Sequence, residues 1–203
     1  MSRSFPVRGL YAITNGPRPD LITAVSAALD GGAACIQYRD TTQDHTRRLQ
    51  EASALAQLCH AHNIPLVIDN DCALAQACNA DGVHVHTIED ATTARAALGP
   101  QAIVGLSCKS SLTTAQLALA VGASYISFGV CYASPTLPQA KPIPHELFAE
   151  SAVLELPRVA IGGITADNGA ALVAAGADVL ASISGVFDAP DITAAARAYL
   201  SCF

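Results

Sequence analysis

The chain has 203 residues, of which 51% are hydrophobic and 14% are charged, and its formal net charge at pH 7 is −6. This amount of apolar material is enough for one large core, so we expect a single domain over residues 1–203. The chain has only two lysines, Lys109 and Lys141. It therefore lacks a basic face for a nucleic-acid backbone, and no nucleic-acid partner is expected.

The sequence also shows no pattern typical of a membrane helix or of a signal peptide. No apolar run approaches the roughly 20 residues that a membrane helix needs, and the first ten residues lack the apolar stretch of a signal peptide. A cytoplasmic protein without membrane association is expected. The seven cysteines are scattered, mostly inside apolar runs and without a CxxC pair, which predicts buried free thiols. The sequence leaves open whether the protein is a monomer or a homodimer.

Short apolar runs typical of β-strands recur eight times along the chain. The predicted strands cover residues 9–14, 34–39, 65–69, 82–86, 102–107, 125–129, 158–163 and 179–184. Helical patterns rich in alanine and leucine lie between them, for example at 44–63, 111–123 and 192–201. Because the strands are uniformly apolar and alternate with helices, we predict a parallel sheet covered by helices.

Eight such units in a chain of 203 residues are typical of an α/β fold, a single (β/α)8 TIM barrel. An open, doubly wound sheet is the alternative, because periodicity does not show whether a sheet closes. In a TIM barrel the functional side chains lie at the carboxyl ends of the strands and in the loops after them. The polar residues that follow strands two to five are Gln37, Arg39, Asp69, Asn70, Asp71, His84, His86, Glu89, Asp90, Ser107 and Lys109.

The last two predicted strands end in small residues that are suited to phosphate. Gly162 and Gly163 end the seventh strand, and Ile183 and Ser184 end the eighth. Free backbone N–H groups at these two loops are where TIM barrels often hold a phosphate group. The alternative is that the glycines only make a tight turn. The proline-rich loop at 130–142, after the sixth strand, is predicted to be a lid.

A series of motifs runs in order along nearly the whole chain: LYAIT, IQYRD, IDND, ADGVHV, GLSCKS, the SPT of the loop after strand six, VAIGGIT, AGAD and SIS. This series resembles the thiamine phosphate synthase and TenI family. The resemblance implies a transferase that joins hydroxymethylpyrimidine diphosphate to thiazole phosphate, giving thiamine phosphate and pyrophosphate, with Mg2+ as the cofactor. These two small molecules are then the expected partners of the chain.

The resemblance assigns the pyrimidine diphosphate to residues at the ends of strands two and five. Gln37 and Arg39 match a Q-x-R-x-K motif that contacts this substrate, but Thr41 stands where the motif has lysine. Ser107 matches a substrate-binding serine of the family. The predicted catalytic residues are Arg39, Ser107 and Lys141, the last as a substitute cation from the lid.

The thiazole phosphate is assigned to the three loops that follow. Ser134 and Thr136 match a T-x-T-K clamp in the loop after strand six, in which Leu137 replaces the lysine. The remaining phosphate contacts of the family are matched by Gly163, Ile183 and Ser184.

The resemblance also implies that an Asn-Asp pair after strand three gives one contact to the pyrimidine diphosphate and one magnesium ligand, and that a carboxylate after strand four gives the second ligand. Asp69 and Asn70 are accordingly predicted to bind substrate. Asn70 and Asp71 have the letters of the pair, whereas an ungapped register gives Asp69 and Asn70, and both registers remain open. The second carboxylate falls on Glu89, with Asp90 beside it. The predicted ligands are thus Asn70, Asp71 and Glu89, while capping by Asp71 and first-turn charge at Glu89 are the competing interpretations.

Two histidines on strand four are a weaker signal. His84 and His86 share one face of the strand, but no third ligand stands at a spacing suited to zinc, so His84 is predicted to be a hydrogen-bonded core histidine.

Two alternative functions of the chain remain. A TenI-like thiazole tautomerase would need a general base, for which Lys109 is the candidate, but neither magnesium nor diphosphate. A non-catalytic binder of a phosphate ligand would explain both missing lysines.

Overall fold

The structure is a computed structural model that describes residues 3–133 and 139–203. The predicted site residues Ser134, Thr136 and Leu137 lie outside the described residues. The strands are β1 (Gly9–Ile13), β2 (Ala33–Tyr38), β3 (Leu66–Asp69), β4 (Gly82–Val85), β5 (Ile103–Lys109), β6 (Tyr125–Gly129), β7 (Arg158–Ile161) and β8 (Val179–Ser182). The α-helices are α1 (Leu21–Asp30), α2 (His45–Ala61), α3 (Cys72–Ala77), α4 (Ile88–Leu98), α5 (Leu112–Ala120), α6 (Glu146–Glu150), α7 (Ala166–Ala174), α8 (Ser184–Phe187) and α9 (Ile192–Ala198), and 3-10 helices cover Ser151–Leu154 and Tyr199–Cys202.

The eight strands form a closed barrel in sequence order. Every neighbouring pair is parallel, and β1 closes the ring against β8 with Gly9 opposite Val179. The predicted TIM barrel is therefore confirmed, and the open, doubly wound sheet is wrong. The predicted strand positions are also confirmed, with shifts of a few residues at the ends. Strand β7 stops at Ile161 because Gly162 has φ of +99°, which takes the backbone out of the extended conformation.

The core has two layers. A large cluster packs the helices onto the outside of the barrel. A smaller cluster fills the barrel interior with side chains that alternate along the strands, such as Tyr11 and Ile13 of β1. Phe5, which precedes β1, enters the lower end of the barrel and stacks on Tyr125 with ring centroids 3.7 Å apart. The lower half of the barrel interior is thus filled with side chains.

The cysteines are free, as predicted. Six of them are buried and Cys72 is half-buried. Burial raises the pKa of the Cys35 thiol well above its ordinary value, so this thiol is neutral at pH 7. In residues 3–133 and 139–203 no helix is long and apolar enough to cross a bilayer.

Candidate active site

The open end of the barrel holds a cleft of about 710 Å³, a volume suited to small-molecule ligands. Strand ends and the loops after them form its wall, as expected for a TIM barrel. The predicted site residues that line it are Gln37, Arg39, Asp69, Asn70, Ser107, Lys141, Gly163, Ile183 and Ser184. The fold therefore brings these residues, which are spread over the whole sequence, to one place. Their roles toward substrate stay predictions.

Asp69, the last residue of β3, connects three side chains on this wall. Its carboxylate accepts a hydrogen bond from Gln37 Nε2 at 2.9 Å. Arg39 Nε lies 3.9 Å from Asp69 Oδ2, and His86 Nε2 lies 3.6 Å from Asp69 Oδ1. Because the Gln37 amide nitrogen is used by Asp69, the amide oxygen of Gln37 is the group left to accept a hydrogen bond from a ligand.

The order of residues after β3 separates Asn70 from Asp71. Asn70 lines the cleft and has φ of +51°, a left-handed conformation that asparagine tolerates. Asp71 is not among the described residues on the cleft wall. It caps α3 by accepting from the Leu74 amide at 2.9 Å, and its other oxygen accepts from Arg48 Nη2 at 2.9 Å. In this structure the pair at the cleft is Asp69 and Asn70, which is the ungapped register.

The carboxylates after β4 lie at the start of α4. Thr87 caps this helix by accepting from the Asp90 amide at 3.0 Å, and its hydroxyl donates to Asp90 Oδ2 at 2.6 Å. Glu89 is exposed in the first turn. Of the residues that the structure describes, neither Glu89 nor Asp90 lines the cleft, and no group of three or more His, Cys, Asp or Glu is placed to hold a metal ion.

Three cations line the cleft although the chain as a whole is acidic. They are Arg39 and both lysines of the sequence, Lys109 and Lys141. Lys109 follows an irregularity in the β5–β6 pairing, which re-aims the end of the strand. The backbone near Lys141 is held by Ile143, whose amide donates to the Val130 carbonyl oxygen at 2.9 Å. This concentration of positive charge is suited to an anionic ligand.

The loops after β7 and β8 are close-packed around glycine. Gly163 has φ of +65°, and a Cβ atom there would lie 2.5 Å from the Ala133 carbonyl oxygen. Ser184 begins α8, so its N–H is one of the first helical amides, which have no partner within the helix. The Tyr199 hydroxyl lies 2.8 Å from both the Ile164 carbonyl oxygen and Ser182 Oγ, which ties the two loops together.

His84 has the predicted buried, hydrogen-bonded position, and it also lines the cleft. Its Nδ1 lies 2.9 Å from the Tyr125 hydroxyl. Burial, with a smaller contribution from His86, lowers the pKa of His84 to about 4, so the ring is neutral at pH 7. The sequence reasoning missed Tyr125, which lies inside an apolar run. The only signal for it was a tyrosine hydroxyl in a strand that should be fully buried.

The closed barrel and its cleft define the class of protein: a TIM barrel with a cationic cleft at the carboxyl ends of its strands. Comparison with known sequences makes this more specific. The chain belongs to the thiamine monophosphate synthase (TMP-TENI) family, whose model matches residues 10–186.

Individual relatives match over nearly their full length. The chain is 46% identical to the thiamine-phosphate synthase of Chromobacterium violaceum, with 97% of each chain covered. It is 48% identical to that of Thiobacillus denitrificans, covering 96% of this chain and 93% of the relative. Among solved structures, thiamine phosphate pyrophosphorylase from Pyrococcus furiosus is similar with a TM-score of 0.84 and 29% identity, covering 96% of this chain and 94% of that one.

Proposed function

We propose that this chain joins hydroxymethylpyrimidine diphosphate to thiazole phosphate, giving thiamine phosphate and pyrophosphate, and that it does so in the cytoplasm as one domain. The observation that carries the proposal is the convergence of Arg39, Lys109 and Lys141 on one cleft. The proposal is also supported by sequence identity, since the chain is 43% and 48% identical to two thiamine-phosphate synthases. A diphosphate needs several positive charges around it, and this cleft collects both lysines of the chain.

The reaction needs charge and position more than a basic nucleophile. The bond between the pyrimidine methylene and the diphosphate breaks, the pyrophosphate leaves with the bonding electrons, and the thiazole nitrogen forms the new bond to the methylene carbon. Arg39 and Lys141 would stabilise the charge that develops on the leaving group, with Ser107 as a hydrogen-bond donor to it. Enclosure in the barrel mouth would keep the two substrates in contact and exclude water.

The thiazole phosphate would bind on the opposite side of the mouth. Gly163, Ile183 and Ser184 line the cleft there, and the first amides of α8 are available to phosphate oxygens. Ser134 and Thr136 would complete the clamp, as the family resemblance implies. The methylene carbon and the thiazole nitrogen then face each other between the two phosphate-binding sides.

Magnesium fits this mouth as an ion held largely by substrate oxygens. Mg2+ prefers oxygen ligands and keeps several waters, and the Asn70 amide oxygen is a suitable donor on the cleft wall. We propose Asn70 as the residue that would hold the ion, whereas Asp71 and Glu89, which the resemblance also implies as ligands, are not among the described residues that line the cleft. When bound, the ion neutralises charge on the diphosphate. Magnesium affinity should therefore be weak alone and rise when pyrophosphate is present, which calorimetry with and without pyrophosphate measures.

Calorimetric titration also separates the proposed function from its alternatives. A synthase binds both hydroxymethylpyrimidine diphosphate and thiazole phosphate, and it releases pyrophosphate only when both are present. A thiazole tautomerase binds only the thiazole phosphate. A phosphate-ligand binder gives binding without pyrophosphate release at any substrate combination. Either of the last two outcomes would overturn the proposal.

A further inference from the structure

A chain of hydrogen bonds runs through the barrel interior and ends at the cleft. The Tyr11 hydroxyl lies 2.9 Å from the Tyr125 hydroxyl, and the Tyr125 hydroxyl lies 2.9 Å from His84 Nδ1. The exposed fractions of these three residues are 1%, 0% and 6%. His84 lines the cleft, and because its Nδ1 is turned toward Tyr125, Nε2 is the nitrogen available to a ligand.

The surrounding residues hold Tyr125 in this position. Phe5 stacks on one face of the Tyr125 ring, and the His84 ring is nearly parallel to it, with an interplanar angle of 13°. A Cβ atom at Gly105 would overlap the Tyr125 ring, so the absence of a side chain on β5 makes the space that the ring occupies. The position of the Tyr125 hydroxyl is therefore set by packing on several sides.

Counting protons along this chain decides which nitrogen of His84 carries one. Burial raises the pKa of both tyrosine hydroxyls well above the ordinary value, so each keeps its single proton. If Tyr11 donates to Tyr125 and Tyr125 donates to His84 Nδ1, both buried protons are used. In the reverse direction the Tyr11 proton would have no acceptor in the described part of the chain, and an unsatisfied buried donor is unfavourable. The first arrangement leaves the proton of the neutral imidazole on Nε2.

We propose that His84 is a further substrate-binding residue, whose Nε2–H donates to a ring nitrogen of the pyrimidine, and that Tyr125 is the positioning residue that fixes this tautomer. The inference rests on the proposed function. His84 lies on the floor of the cleft, whereas Lys109, Lys141 and Ser184 are exposed at the rim. Phosphate groups belong with the rim cations, and a neutral donor on the floor is suited to a neutral heteroaromatic acceptor.

Strand β2 supplies the complementary group, which is held in place by Asp69 of the strand between β2 and β4. Asp69 pairs with His84 in the β3–β4 register, and it holds the Gln37 amide nitrogen at 2.9 Å, leaving the Gln37 amide oxygen as an acceptor. An acceptor on β2 and a donor on β4, both on the cleft wall, suit a heterocycle that carries an N–H donor and a ring nitrogen. The tautomer of His84 thus decides whether the floor recognises or repels the ring.

Tyr125→Phe and Tyr11→Phe form a matched pair for the test, because each removes one buried hydroxyl from the same chain of hydrogen bonds. Nitrogen-15 NMR of the histidines reports the tautomer of His84 directly. Calorimetry with hydroxymethylpyrimidine diphosphate and, separately, with inorganic pyrophosphate reports the contact with the ring. In Tyr11→Phe the Tyr125 hydroxyl still donates to Nδ1, so the Nε2–H tautomer and both affinities should be retained.

In Tyr125→Phe we expect a change of His84 tautomer population and about a 3- to 10-fold loss of affinity for the pyrimidine diphosphate, the range for one lost hydrogen bond. Pyrophosphate affinity should stay unchanged. His84→Gln, which keeps an N–H donor, should retain more affinity for the pyrimidine diphosphate than His84→Leu, and this comparison remains informative if Tyr125→Phe fails to fold.

Three results would overturn the inference. The first is an Nδ1–H tautomer of His84 in the parent, and the second is equal behaviour of the two tyrosine variants. The third is a loss of pyrophosphate affinity in Tyr125→Phe as large as the loss of affinity for the pyrimidine diphosphate, which would place the contact on phosphate. Failure of the parent to bind the pyrimidine diphosphate would instead contradict the proposed function, so the two failures are distinguishable.

Discussion

Neutralising the cleft lysines should weaken binding of the diphosphate far more than neutralising a cation elsewhere. Lys141→Gln and Lys109→Gln each remove one positive charge from the cleft wall and keep a polar side chain of similar length. Arg197→Gln is the matched control, because Arg197 is exposed on α9 and is not among the described residues that line the cleft.

The size of the effect follows from the position of these lysines. A unit charge about 4 Å from a phosphate oxygen interacts by about 4 kcal/mol at the effective dielectric constant of about 20 that applies near a protein surface. Both lysines are exposed, so solvation reduces this to the 1.5–3 kcal/mol that is typical of a hydrogen bond to a charged group. At 1.36 kcal/mol for each factor of ten, each substitution should reduce affinity by about 10- to 100-fold.

Calorimetry with pyrophosphate at two salt concentrations measures the loss of affinity. Steady-state rates with both substrates measure the loss of catalysis that results from it. The losses should be larger at low salt, since exposed charges are screened. Arg197→Gln should change affinity by less than about twofold, because a distant exposed charge is screened by solvent and salt. If Lys141→Gln and Lys109→Gln behave like Arg197→Gln, the cleft does not bind diphosphate through these lysines and the reasoning is refuted.

Three further substitutions test individual contacts. Asp71→Ala should lower the free energy of unfolding by about 1–2 kcal/mol in urea titrations, because it removes a helix cap and the ion pair with Arg48, whereas Asp71→Asn should recover most of the cap; equal stability of the two variants would contradict this. The pKa of His84 is lowered to about 4 in the folded chain, so the parent should lose about 3 kcal/mol of stability as pH falls from about 6.5 to about 4, since the unfolded state binds the proton more tightly; His84→Gln should lack this slope. Gly105→Ala should destabilise the fold by about 1–3 kcal/mol in thermal unfolding through overlap with Tyr125, and an unchanged melting temperature would count against that overlap.

The barrel was predictable because its strands and helices have different periods of hydrophobicity. Each predicted strand is an apolar run bounded by turn residues, and the eight runs recur at the spacing that a (β/α)8 barrel requires. Closure was not predictable in this way, because the pairing of β1 with β8 joins residues from opposite ends of the chain. Strand ends were shifted where a backbone conformation decides, as at Gly162.

The site was predictable where a rule ties a residue to a strand end. Gln37, Arg39 and Ser107 follow from that rule and line the cleft. The rule does not tell which of Asn70 and Asp71 faces the cleft. A difference of one residue in where β3 ends decides whether a side chain faces the cleft or caps α3. Tyr125 was missed because its partner His84 lies 41 residues away in the sequence, and no local pattern reports such a contact.

The charges on the cleft wall bear on the two lysines that the family resemblance leads one to expect and this chain lacks. Thr41, at the first of these positions, lines the cleft, so a lysine there would face the ligand. The chain has only two lysines, and both line the same cleft with Arg39. Coulomb energy falls slowly with distance: moving a charge from about 4 to about 6 Å lowers it only from about 4 to about 3 kcal/mol at a dielectric constant of about 20. Cations supplied by neighbouring loops can therefore replace most of the lost stabilisation, and the charge of the cleft argues for a working transferase over a binder that has lost its catalytic cations.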